Sequence, residues 1–141
     1  AIISKATGSY TNLSSWRLWQ YGGDIRFGVD NVGGNYGHGI NGGSFPDDWV
    51  TIAGQNSSNQ MYVHKNGELM VSLDEGWVNT TDVGVYIGAQ DNGPYFFNEM
   101  TVDEIRISDI MRYEGEDYDS SLPLEADEHT VALYKFNAGT T

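Results

Sequence analysis

The sequence predicts an all-β protein built as an antiparallel two-layer sandwich or barrel. Three observations predict it. Short runs of aromatic and β-branched residues recur along the chain, separated by Gly and Asn clusters. An Asn-Gly pair, Asn66-Gly67, sits between alternating runs, the strongest short hairpin signal because both central residues of a type I′ turn need φ > 0. Helical periodicity is nearly absent, with Ser108–Tyr113 as the single helix-like stretch, one turn long.

Taken in order, strands are expected at Ile2–Lys5, Trp16–Tyr21, Asp24–Val29, Trp49–Ala53, Gln60–Lys65, Glu68–Leu73, Val83–Gly88, Phe96–Ile107 (bent or split) and Thr130–Phe136. In the hairpin, Met61 and Val63 share one face, with Leu69 and Val71 matching them across the ladder. Trp16 and Trp19 fall on opposite faces by parity, and Trp49 falls in a strand. Residues 30–48 are expected as a long Gly/Asn loop. The domain plan is a sandwich body over 1–113, an acidic linker over 114–128, and a final strand segment over 129–141. The chain opens without Met or a leader pattern and is expected to be a processed or excised piece.

Composition excludes several functions. The chain has 141 residues, with 20 acids against 7 bases and a formal charge of −13. Such a chain is unsuited to phosphate backbones, whose affinity comes from neutralising phosphates, and it is repelled by anionic membranes. No apolar run reaches the length of a spanning helix. There is no Cys, so no disulfide and no thiolate metal site. Four Trp, nine Tyr and five Phe supply core material despite the low aliphatic content.

Several segments together resemble the laminin G-like, concanavalin A-like jelly-roll family. They are Ile2-Ile3-Ser4-Lys5, Trp49-Val50-Thr51-Ile52-Ala53, Met61 through Leu69, Val85-Tyr86-Ile87-Gly88 and Val102 through Ser108. The resemblance implies a jelly-roll sandwich. Two departures stand out. Met100 replaces a usual Gly, and the family's opening strands are absent ahead of Ile2. Conversely, His129 through Asn137 resembles the strand that usually opens a repeat.

That last strand is apolar on both pleat faces, with Val131 and Leu133 on one and Ala132, Tyr134 and Phe136 on the other. A two-sided apolar strand seeks burial on both sides. It is therefore expected either to fold into its own sheet or to complete a neighbouring copy by donor-strand complementation, a head-to-tail contact that builds a filament. Val131, Leu133, Tyr134 and Phe136 are the expected assembly residues.

No catalytic residue is expected. The resemblance includes endoglucanases with a Glu-x-Asp-x-x-Glu strand motif, and that motif is missing here. Asp103 is expected to bond loop backbone and Glu104 to be solvated. His64, alternating with Val63, is expected at a strand surface, and no nucleophile elbow, His-Glu-x-x-His or phosphate loop is present. Calcium is the cofactor to consider, with Asp30, Asn31, Asp91, Asn92 and Asp103 as oxygen ligands at strand ends. Tyr36, Trp77, Tyr95 and Phe96 are candidate platforms for a glycan. Asn12, Asn56 and Asn79 head glycosylation sequons in expected loops. The function expected is a non-catalytic extracellular or surface module, structural or adhesive, that acts by self-assembly. The alternative is a calcium-dependent carbohydrate-binding, lectin-like module.

Overall fold

The computed structural model describes residues 1–5, 16–29, 39–76, 84–89 and 100–137. Among them the fold is all-β: an antiparallel sandwich with no helix. Ten strands follow in chain order. They are β1 (Ile3–Lys5), β2 (Trp16–Tyr21), β3 (Asp24–Val29), β4 (Gly39–Ser44) and β5 (Ile52–Asn56), then β6 (Met61–Lys65), β7 (Glu68–Leu73), β8 (Tyr86–Ile87), β9 (Glu104–Ser108) and β10 (Thr130–Lys135). One sheet runs β4-β3-β2-β1-β8, a second β5-β6-β7, and a third pairs β10 with β9.

Two turns of the same kind set the registers. In the β2–β3 hairpin Tyr21 opposes Asp24 across Gly22-Gly23, and in the β6–β7 hairpin Lys65 opposes Glu68 across Asn66-Gly67. Both central residues of each turn have positive φ, as a type I′ turn requires. The expected hairpin is present, but its ladder slips. Val63 opposes Val71 and Met61 opposes Leu73, while a bulge leaves Met70 without an opposite and sets Leu69 against His64. Leu69 therefore departs from the expected apolar face.

The first two sheets meet through alternate residues. Ile25, Phe27 and Val29 of β3, Leu18 of β2 and Ile40 of β4 pack with Met61 and Val63 of β6. Trp16 packs on this core, whereas Trp19 lies on the opposite face of the same strand beneath the Arg17 guanidinium, as parity requires.

The 30–48 loop expectation fails at β4, which pairs with β3. Its sequence, Gly39-Ile40-Asn41-Gly42-Gly43-Ser44, carries one apolar side chain and so shows no strand pattern. Packing explains the glycine: a Cβ on Gly42 would collide with Val63 of the facing sheet. Gly54 of β5 is held to glycine in the same way by the Phe27 ring. Strand β5 accordingly runs later than expected, through Gly54 and Asn56, and Trp49 precedes it as a 66% exposed loop residue. The first residues of the expected Phe96–Ile107 strand lie outside the described set. Among its described residues only Glu104–Ile107 are in a strand, which runs on to Ser108. Of the expected helical turn over Ser108–Tyr113, Ser108 ends β9 and the rest forms bends.

The segment expected as a linker, with Arg112 and Tyr113 just ahead of it, is a strap laid over β5-β6-β7. Tyr118 N–H donates to the Gly67 carbonyl (2.8 Å) and Leu69 N–H to Asp117 Oδ1 (2.8 Å). Tyr113 and Tyr118 stack with ring centroids 3.7 Å apart, and both rings flank His64. Strand β6 is thus covered on both sides, by the core on Met61 and Val63 and by the strap on Tyr62 and His64. His64 is fully buried, contrary to its expected surface position.

Candidate assembly interface

Strand β10 is positioned by β9 along one edge and by the strap against one face. Ile105 opposes Tyr134 and Ile107 opposes Ala132, and the two isoleucines pack on the main core. That face of the β9–β10 sheet therefore carries Tyr134 and, one repeat along, Phe136, whose rings lie 6.2 Å apart. The opposite face carries Glu104, Arg106, Leu133 and Lys135 and meets the strap.

A polar frame fixes this arrangement. Arg112 donates both terminal nitrogens to Asp127 (2.7 and 2.6 Å) and its Nε–H to Ser108 Oγ (2.6 Å). Asp127 Oδ1 also accepts the Thr130 hydroxyl (2.9 Å) and His129 N–H (3.1 Å). Those bonds, the Arg112 fork first, hold the Asp127 carboxyl well below its usual range, and Asp127 in turn raises the Arg112 guanidinium. Glu104 accepts Leu124 N–H at Oε2 (3.0 Å) and meets Lys135 Nζ at 3.3 Å. The Leu124 amide first, then Lys135, lowers its pKa. Glu104, not Asp103, is thus the carboxylate that bonds loop backbone. Asp103 is exposed and contributes its carbonyl, which accepts Phe136 N–H (2.9 Å).

That last bond fixes which backbone groups of β10 are spent. Inward and outward residues alternate in an antiparallel ladder. Phe136 points in, so Tyr134 and Ala132 also point in, and Leu133 and Lys135 direct N–H and C=O away from β9. Among the described residues β10 pairs with β9 alone. Along this edge Val131, at a bulge, is 66% exposed, Tyr134 43% and Phe136 47%, while Leu133 is half-buried. The two-sided burial expected of the strand is therefore not met within the described residues.

The other expected site residues are scattered or lie elsewhere. Asp30, Asn31, Asp91 and Asn92, with Tyr36, Trp77, Tyr95 and Phe96, lie outside the described residues, as do Asn12 and Asn79. Asn56 is described as the last residue of β5, opposite Met61, rather than in a loop. Among the described residues no three acidic or imidazole side chains converge as a metal site. A shallow cavity of about 330 Å³ opens between Arg112, Tyr113, Glu114, Glu116 and Asp117 on the strap.

The residues missed by sequence reasoning are Gln55, His64, Arg112 and Asp127. The unbroken apolar run Met61-Tyr62-Val63 was a signal for His64, since it marks a strand covered on both faces. Nothing in the sequence links Arg112 to Asp127 across fifteen positions. Compared with family models, curated proteins and solved structures, the chain matches none.

Proposed function

We propose that this chain is a non-catalytic structural or adhesive module, laminin G-like in its jelly roll, that assembles with copies of itself by strand addition at the edge of β10 left unpaired among the described residues. The observation that carries the reading is the edge itself. Six residues of strand keep outward N–H and C=O groups at Leu133 and Lys135 beside exposed Val131, Tyr134 and Phe136. Proteins ordinarily shield such an edge with charge, proline or a covering loop. Here the edge's own cation, Lys135, is turned to Glu104.

A second copy is the occupant the geometry suits. Two β10 strands related by a twofold axis pair antiparallel, and centring the axis on Leu133 sets Leu133 against Leu133 with its outward groups matched and Val131 against Lys135. Donation of the whole strand to a neighbour is the less favoured form, because it would break the Arg112–Asp127 fork and the Glu104–Leu124 bond. The net charge of −13 opposes association, so assembly strengthens as salt screens it. Surface or extracellular placement belongs to the same reading, whereas calcium and glycan binding belong to the alternative, a lectin-like module, whose expected residues other than Asp103 lie outside the described set.

Light scattering coupled to size exclusion tests the proposal. Dimers or larger assemblies that grow with salt support it. A chain that stays monomeric from low to high salt at high concentration overturns it.

A further inference from the structure

The strap and the hairpin beneath it share one buried imidazole whose proton position is forced from both ends. Gln55 Oε1 accepts the backbone N–H of Arg112 (2.7 Å) and of Tyr113 (3.1 Å), so its amide nitrogen faces the other way. That nitrogen lies 3.3 Å from His64 Nδ1 and can only donate, so Nδ1 accepts. On the other side His64 Nε2 lies 3.0 Å from the Glu116 carbonyl, which can only accept, so Nε2 carries the proton. The site fits neutral imidazole in the Nε2–H form and no other.

We propose that His64 is an acid-sensitive latch, in which a proton on Nδ1 sets two donors against each other, breaks the Gln55 contact and lifts residues 112–118 off the β5-β6-β7 sheet. The amide of Gln55 cannot turn to relieve the clash without orphaning the two strap N–H groups it holds. The titratable and charged groups around the ring are Tyr62 on its own strand and Arg112, Tyr113, Glu116, Asp117 and Tyr118 on the strap. Strands β5 and β7 oppose it with Ala53 and Leu69, Glu68 of β7 opposes Lys65 instead, and Arg106 of β9 donates to the Tyr113 hydroxyl (3.0 Å). Burial, the largest influence, lowers the His64 pKa from 6.5 and outweighs the Glu116 carbonyl and the Asp117 carboxylate, which raise it.

The sign follows. A histidine whose folded pKa is depressed stabilises the closed strap fully above 6.5 and loses that stabilisation as pH falls through and below 6.5. Because Arg112 also holds Asp127 and Thr130, opening the strap loosens the entry to β10. The latch does not depend on whether that strand assembles.

The test is hydrogen exchange of the full chain from pH 7.5 to 5, read as protection factors at the amides of Arg112, Tyr113 and Tyr118. Protection is expected to fall with acid below 6.5, by up to about tenfold per pH unit, the limit for one linked proton. His64→Gln should level that slope, and His129→Gln, which alters the exposed Asp109 contact instead, should leave it. A slope absent in the native chain, kept in His64→Gln or lost in His129→Gln overturns the proposal. Should His64→Gln not fold, nitrogen-15 spectra of the native imidazoles decide. The Nε2–H form at pH 7 with a pKa below 6.5 is expected, and an Nδ1–H form or a pKa of 6.5 or higher overturns it.

Discussion

Replacing Gly67 with alanine should cost far more than the same change at Gly23, although the two backbones are nearly alike. Each glycine is the second residue of a type I′ turn, with φ of 86° and 89°. Alanine in that left-handed region costs about 1–2 kcal/mol at either site. A Cβ on Gly23 meets nothing, so that cost is the whole effect. On Gly67 it would run into the Tyr118 carbonyl, and the strap must move. Moving it strains or breaks the Tyr118-to-Gly67 hydrogen bond, worth about 0.5–1.5 kcal/mol net, and crowding of a packed contact adds about 1–3 kcal/mol. Gly67→Ala should therefore destabilise by about 2.5–6.5 kcal/mol against about 1–2 kcal/mol for Gly23→Ala. Urea unfolding of both variants reads the difference directly. Equal losses would mean that the strap is not docked on the hairpin and would refute the reasoning.

Three further outcomes are expected. Ile25→Ala removes a fully buried core side chain and should lower unfolding free energy by about 2–5 kcal/mol, seen as a lower urea midpoint with an unchanged slope. Asp127 has a depressed folded pKa, so its contribution is complete above the ordinary 3.8 and is lost as pH falls below that value; Asp127→Asn should flatten the acid limb of stability below about pH 4, measured by circular dichroism. Gly54→Ala should disturb the contact with Phe27 and destabilise by about 1–3 kcal/mol, whereas Gly22→Ala, open to solvent, should show only the cost of its positive φ.

What could be seen in the sequence followed from local chemistry. The Asn66-Gly67 turn, the bounds of β2, β3 and β7, and the opposite faces of Trp16 and Trp19 follow from turn chemistry and alternation. Strand β4 was invisible because its reason is tertiary: Gly42 is there so that Val63 can approach. The shift of β5 has the same origin in Gly54 and Phe27. The slip at Met70 lies in the ladder and not in the alternation of Leu69, Val71 and Leu73. The acidic stretch 114–128 looked solvated by composition, yet most of its bonds to the body use backbone groups of residues such as Glu116, Tyr118 and Leu124, which side-chain patterns do not report. The apolar character of β10 was legible, and its pairing with β9 leaves the other edge unpaired among the described residues.

The most direct test of the assembly reading is proline at position 135. The Lys135 N–H points away from β9, so Lys135→Pro removes a donor that an added strand would use and that pairs with no strand among the described residues, in an edge position where proline is tolerated. Lys135→Ala controls for the lost Glu104 contact. Sedimentation velocity at raised salt should show native chain and Lys135→Ala associating and Lys135→Pro monomeric, with all three equally folded. A Lys135→Pro chain that associates as the native one does would contradict assembly through β10.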